Sequence, residues 1–467
     1  MRLDEHAAAA MAAGLDRIRS EFEIPDGFPA EVDEAAQRLA DRPIGAGHTG
    51  TGHADRTMIE FATIDPAGST DLDQAFALAV DGDDIVLQYA IADVGWFVQP
   101  GDPLDTEAWS RGVTVYLPDR RSPLYPAALS EDAASLLPDV DRPAVIFVVR
   151  VDQHGGVNLD GAERAVVRSR AKLAYESVRP DDLPPEFAEL AARIEGAESA
   201  RNAARVAFPE QEIELAPVDG FDLRYRPRTP AEEQNAALSL AANMAIAEAL
   251  LAAGTGLFRV MPEVDERRAR RLRHTAQAFG LDWHRDTTLS AFERSLPRDD
   301  PRASAFLLAV RRASGGASYA PYRDGDRPWH AAVAATYAHA TAPLRRLQDR
   351  YVIGAVLAIA NGKEVPSEIE AAFAGLPEAM EAGEQRANRA DRAALDLAEA
   401  VVLEGCVGQL FDAVVTDEDD RGVRIQITDP AIEARVDARH VDPGDPVRVR
   451  LVAAEPEHRA VRFERVS

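Results

Sequence analysis

Between two apolar runs the chain turns through Thr63-Ile64-Asp65-Pro66-Ala67-Gly68-Ser69-Thr70-Asp71-Leu72-Asp73-Gln74-Ala75-Phe76, and this bend constrains the fold more than any other stretch. Asp65, Asp71 and Asp73 put three carboxylates within nine residues. Like charges a few Å apart raise each other's pKa until one neutralises, unless a cation offsets them. The chain must therefore fold so that something cationic sits in the bend. No Cys or His lies inside it, so it offers oxygen donors, which favour Mg²⁺, Mn²⁺ or Ca²⁺ over zinc. A Mg²⁺ ion held by a few carboxylates keeps positions open for water and substrate phosphate, which suits phosphodiester chemistry. The bland alternative is a solvated acidic turn.

A second constellation lies far downstream: Thr336-Tyr337-Ala338-His339-Ala340-Thr341-Ala342-Pro343-Leu344-Arg345-Arg346-Leu347-Gln348-Asp349. Taken together, the two stretches resemble the signatures of the ribonuclease II / ribonuclease R family (the RNB catalytic domain), T-I-D…D-x-D-D-A and Y-x-H-x-T-S-P-I-R-R-Y-x-D. Asp65, Asp71 and Asp73 match the first three acidic positions, and neutral Gln74 stands at the fourth. That departure implies weaker metal affinity or a second metal held less firmly. In the later motif Ala342 replaces Ser and Leu347 replaces Tyr. The resemblance implies that Asp65, Asp71 and Asp73 hold Mg²⁺, with Mn²⁺ as an alternative, and that these aspartates and Arg345 are the catalytic set. Asp73 matches the aspartate relatives rely on most. Arg345 falls on the arginine aimed at the scissile phosphate, where a fixed cation offsets developing charge.

The resemblance extends along most of the chain. Ile85 to Val94 reads as a buried strand and is similar to the family's H-I-A-D-V segment, with Tyr89 or Ala90 near the histidine position and Asp93 as a supporting group. Tyr116, Tyr175, Phe208 and Tyr337 fall on aromatics that line the RNA path in relatives, with His330 nearby. Stacking a base on such a ring contributes roughly 1–3 kcal/mol whatever the base, which suits a non-specific nuclease. Taken singly, each aromatic is better explained by core packing; together, at matching places, they favour the RNA path. The helix opening at Pro230 keeps Asn243, but Ala236 and Ala237 occupy the places of an acidic pair. The run Arg267, Arg268, Arg270, Arg271 and Arg273 reads as a solvated helix face.

At 467 residues the chain is too long for one core. The expected class is α+β. Residues 1–55 form a helical segment and Gly-rich linker, either helix-turn-helix-like or a plain extension, with its two histidines exposed. Residues 56–402 form the RNB catalytic domain. From 403 to 467, short strands with turn signals suggest an OB-fold barrel, either RNA-binding or simply packed. The net charge of −27 argues against a nucleic-acid partner, yet Lys172 and Lys363 are the only lysines among 52 basic residues; arginine suits phosphate, but GC-rich coding is the better explanation of the bias. One local positive channel is enough to hold a single strand. Cys406 cannot form an internal disulfide, and neither an apolar run of about 18 residues nor a signal-peptide core is evident. These features suggest a cytoplasmic, monomeric protein without membrane or obligatory protein partners. The implied function is a magnesium-dependent exoribonuclease that degrades single-stranded RNA 3′ to 5′, releasing nucleoside 5′-monophosphates. A catalytically impaired RNA-binding member and a Ca²⁺-stabilised structural protein are the rivals.

Overall fold

The computed structural model describes residues 5–42, 52–204, 210–216, 220–226, 228–297, 300–419, 422–437, 441–442 and 444–466. Two helices lead, α1 (Glu5–Glu21) and α2 (Ala30–Ala40). The central sheet follows, with β1 (Ala54–Asp55), β2 (Phe61–Asp65), β3 (Gln74–Asp81) and β4 (Asp84–Ala92). After α3 (Val94–Phe97) and α4 (Pro103–Arg111) comes a minimal hairpin, β5 (Val115–Tyr116) with β6 (Arg121–Ser122). The sheet resumes with β7 (Asp141–Val151) and β8 (Val157–Ala174).

The β7–β8 turn behaves as its residues dictate: Asp152 accepts from the N–H groups of His154 and Gly156, and Gly155 takes φ 74°. β8 is long enough to pair antiparallel with β7 over its first part and parallel with β2 over its last. Because β2–β3, β3–β4 and β4–β7 also pair, the sheet returns on itself. Its inner face buries Phe61, Phe76, Leu87, Tyr89, Ile91, Val145 and Phe147.

Helix α5 (Pro185–Ala200), the hairpin β9 (Glu210–Ala216) and β10 (Gly220–Arg226), and α6 (Pro230–Ala252) come next. α6 begins with Pro230 in its first turn and a reciprocal capping box between Thr229 and Glu232. It is the one described helix long and apolar enough to cross a membrane by composition, but it is 56% buried here, packing on α5, β7 and β8. β11 (Leu257–Val260) leads to α7 (Glu266–Ala278), α8 (Leu289–Ser295) and α9 (Pro301–Ala313), which close their own small core of Leu272, Phe279, Phe292 and Phe306. Arg267, Arg268, Arg270 and Arg271 lie exposed on α7. β12 (Ser318–Pro321) pairs with β11, and α10 (Leu347–Ala360) and α11 (Ser367–Leu403) complete the helical layer, with α10 also packing on α6.

The chain ends in a closed barrel of β13 (Leu410–Asp419), β14 (Gly422–Ile427), β15 (Ile432–Asp437), β16 (Pro446–Glu455) and β17 (Ala460–Arg465), ordered β13-β14-β15-β17-β16. Strict inward-outward alternation along β14 and β15 fills its interior. Residues 405–408, read from sequence as a strand, are instead a 3₁₀ turn that buries Cys406. Glu399 of α11 accepts from Gln211 Nε2 and the Glu433 N–H, tying α11, the β9–β10 hairpin and the barrel together.

α1 and α2 divide between two cores. Met11, Leu15 and Ile18 pack toward α11 and the barrel side, while Val32, Ala35 and Ala36 pack against α4 and the π-helical turn Leu129–Ala133. The segment joining them grips the β5–β6 hairpin. Arg19, only 5% exposed, bonds Asp16 and Asp119; Arg120 pairs with Asp26 at 2.9 Å; Ser122 Oγ donates to Pro25 O at 2.6 Å.

Candidate active site

The acidic bend spans the gap between β2 and β3. Asp65 ends β2, beside Ala174 of β8, and Asp73 immediately precedes β3. Backbone carbonyls inside the bend would be costly to bury unpaired, and five of them are answered from outside it. Lys172 Nζ donates to Ala67 O and Ser69 O at 2.9 and 2.6 Å, Ser135 Oγ to Thr70 O at 2.7 Å, and the Leu136 and Ala92 N–H groups to Leu72 O and Asp73 O, both at 2.9 Å.

The 336–349 stretch arrives from the other side. Asp349, in the first turn of α10 and fully buried, accepts from the Ala342 N–H at 2.7 Å and from Arg346 at 2.7 and 3.0 Å. Gly112 (φ 72°) and Gly383 let α4 and α11 touch; a Cβ on Gly112 would sit 2.8 Å from Ala379 O, and one on Gly383 would sit 2.8 Å from Arg111 O. That approach sets Val113 against Arg346, with Thr114 N–H on Arg345 O and Leu347 N–H on Gly112 O. Tyr116 is therefore hung from the same backbone that carries Arg345.

Asp73 is where the two halves meet. It is 4% exposed; Oδ1 accepts from the Leu344 N–H at 2.7 Å and Oδ2 from Arg345 Nε at 3.2 Å. Burial pushes its pKa up to about 7, against the pull of Arg345 and the Leu344 N–H. Burial raises Asp65 to about 7 as well, helped by the neighbouring Asp73, and its Oδ2 is buried with no hydrogen-bond partner. Two adjacent carboxylates that resist ionisation, one with a bare oxygen, fit a hard dication.

The third carboxylate is otherwise engaged. Asp71 accepts from Arg121 at 2.6 Å and from Tyr116 Oη at 3.0 Å, and Arg121 also pairs with Glu131 at 2.8 Å. Gln74 is likewise held: its Oε1 accepts from Tyr89 Oη at 2.6 Å and Ser239 Oγ at 3.2 Å, and those two hydroxyls are 2.8 Å apart. Among the described residues no three Asp, Glu, His or Cys side chains form a ready metal cage. The sequence nominated Asp65, Asp71 and Asp73 together; the structure sets Asp65 and Asp73 against each other and turns Asp71 to Arg121.

Of the aromatics, Tyr116 is 49% exposed above Asp71, and Tyr175, whose Oη accepts from Asn235 at 2.6 Å, lies within electrostatic reach of Asp65 and Arg345. Tyr337 accepts from Asn243 at 3.2 Å, with its ring edge-on to His330 and His339. Burial lowers His330 to about 4 and takes His339 well below its usual range, so both rings are neutral near pH 7. Phe208 lies outside the described residues. His53, expected to be exposed, is buried with Nε2 3.0 Å from Asp93, which also pairs with Arg164 at 2.9 Å; a buried carboxylate needs such partners. His48 lies outside the described residues. Arg121, Ser239 and Asn235 escaped the sequence reading because no spacing pattern connects them to the bend, and Tyr89 enters that reading only near the family's histidine position, with no role.

Comparison with known proteins follows this geometry. An RNB domain model matches residues 54–360, and an RNase II-type exonuclease C-terminal S1 domain model matches residues 409–466. Ribonuclease R of Aquifex aeolicus is 26% identical over 96% of this chain and 70% of its own length. Exoribonuclease 2 of Cronobacter sakazakii is 28% identical over 91% and 66%. The chain spans about half to seven tenths of the length of the curated relatives it matches. Among solved structures, the apo form of Mycoplasma genitalium RNase R shares the fold with a TM-score of 0.86 at 19% identity, over 98% of this chain and 78% of that one.

Proposed function

The chain belongs to the RNB-domain family, and from that premise we propose that it is a divalent-metal-dependent exoribonuclease, acting on single-stranded RNA from the 3′ end and releasing nucleoside 5′-monophosphates. The observation that carries this reading is the meeting of Asp73 with Leu344 N–H and Arg345 beside Asp65 and its bare oxygen. Asp65 and Asp73 would hold the ion, Mg²⁺ or Mn²⁺. When bound it would activate water and offset charge on the phosphate oxygens. Asp71 would join as a ligand only by leaving Arg121.

The remaining steps belong to this chain's own groups. Arg345 spends Nε on Asp73, and with its side chain 48% exposed its terminal nitrogens are open to a phosphate oxygen. Its cation is thereby fixed before substrate arrives, so charge developing on the phosphorus oxygens meets a preorganised partner. Tyr116, half-exposed, and Tyr175 and Tyr337, packed deeper, would grip bases without reading them, as would Phe208. The buried position of Asp73 keeps competing water from the guanidinium contact. The M. genitalium relative was solved with single-stranded and double-stranded RNA, which supports an RNA substrate.

Turnover of 3′-labelled and 5′-labelled single strands, with and without EDTA, tests this. Asp73→Asn is expected to lose mononucleotide release while keeping RNA affinity; undiminished hydrolysis removes the assignment. Gln74, neutral and hydrogen-bonded away from the acids, favours one second reading, an RNA-binding family member that does not cut. That reading requires tight RNA binding with no EDTA-sensitive release from the unaltered chain.

A further inference from the structure

The geometry points to a centre that accepts one divalent cation and not two, with Gln74, clasped by Tyr89 and Ser239, as the residue that sets the number. This rests on the metal reading proposed above and extends it to stoichiometry. Gln74 directly follows Asp73, at the start of β3, at the position where the family signature has a fourth acid. The amide oxygen accepts from Tyr89 Oη at 2.6 Å, and Ser239 Oγ, 3.2 Å from that oxygen and 2.8 Å from Tyr89 Oη, closes the clasp by giving its one hydrogen to either of them. Tyr89 is fully buried, and burial raises its pKa, so it remains a hydroxyl donor at any working pH. Ser239 is carried by α6, so the clasp is anchored on two elements that pack through the core.

Asp71 offers little substitute, because Arg121 at 2.6 Å and Tyr116 at 3.0 Å hold its oxygens and Arg121 balances its charge. The carboxylates left to face an ion are Asp65, whose Oδ2 has no partner, and Asp73, held more loosely by Arg345 at 3.2 Å. Arg345 and Lys172 both act on Asp65, so these four charges sum to zero before an ion arrives. One dication leaves two positive charges, of which a phosphodiester offsets one. A second dication would leave three on a mostly buried centre even with the phosphodiester in place. An aspartate at 74 would supply the missing charge, and it would break the clasp because it brings a shorter arm to the two hydroxyls.

The test is Mn²⁺ binding to the full chain without RNA, followed by calorimetry and by the loss of the free-ion electron paramagnetic resonance signal. One Mn²⁺ per chain is expected, abolished by Asp73→Asn. Gln74→Asp should bind two, with the exchange-coupled spectrum of ions about 3.5–4 Å apart. Tyr89→Phe combined with Ser239→Ala frees the amide but adds no charge, and should stay at one. Two ions on the unaltered chain would overturn the inference and leave the metal reading standing. No bound ion would overturn the metal reading itself. A single ion on folded Gln74→Asp, or two on the Tyr89→Phe, Ser239→Ala chain, would show that charge at position 74 is not the gate.

Discussion

Asp349→Asn probes how the arginine is delivered to the acids. Asp349 is fully buried and holds three donors, the Ala342 N–H at 2.7 Å and Arg346 at 2.7 and 3.0 Å. Asparagine keeps the shape but turns one oxygen into a donor, so a buried N–H faces another N–H and Arg346 loses its counter-charge. Removing one partner of a buried ion pair costs about 3–5 kcal/mol. With each 1.4 kcal/mol worth a factor of ten, local opening of the 342–346 turn, read as hydrogen exchange at the Ala342 and Leu344 amides, should rise about 10²–10⁴-fold. The same turn places Leu344 N–H and Arg345 Nε on Asp73, and a misplacement of about 1 Å at such a contact costs about 10²-fold in rate. Single-turnover release of mononucleotides from a labelled strand should therefore slow by about that factor, with RNA affinity far less changed. Faster exchange at Ala342 with turnover within about threefold of the unaltered chain would refute the idea that this turn aims Arg345.

Tyr116→Ala should weaken oligonucleotide binding by about 5–150-fold, the loss of one stacked base at ~1–3 kcal/mol, whereas Tyr116→Phe keeps the ring and should cost less than about fivefold; equal losses in fluorescence-anisotropy titrations would assign the effect to the Asp71 hydrogen bond. Glu293 is 6% exposed and burial raises its pKa to about 7. Its proton is thus held more tightly in the folded state, so its contribution to stability is present below about 4.5 and lost as pH rises through 7, worth about 3 kcal/mol by pH 8. Glu293→Gln should slow hydrogen exchange across α8 at pH 8 and leave it little changed at pH 5; no gain at pH 8 would mean the carboxylate finds water.

The elements that the sequence disclosed are those whose signal is contiguous. The acidic bend, the helix opening at Pro230 and the barrel strands from Leu410 onward each announce themselves in a contiguous stretch, whereas residues 405–408 do not form the strand their sequence suggests. Asp73 and Arg345 could be paired across the chain only through resemblance to a family, because nothing in the spacing of residues so far apart predicts a 3.2 Å contact. What stayed hidden depends on tertiary partners with ordinary local surroundings. Arg121 sits in a two-residue strand that no periodicity flags, yet it takes Asp71 out of the acidic set. His53 follows a glycine-rich run that reads as linker, and its burial is decided by Asp93, at the junction of β4 and α3. The small core of α7 to α9 was masked by the arginines on its outer face.

The grip of the leading helices on the β5–β6 hairpin couples two segments, about a hundred residues apart, that look independent on a linear map. The hairpin has two residues per strand and cannot stand by itself; Asp119, Arg120 and Ser122 are moored to Arg19, Asp26 and Pro25, and Tyr116 and Arg121 ride on that mooring. By linkage, whatever ligand braces Tyr116 also braces α1 and α2, and whatever pries those helices loose unseats the ring. Changes made in α1 and α2 therefore act at a distance on the Tyr116 ring, and those helices are a buttress for the face that carries it, unlike an exchangeable appendage.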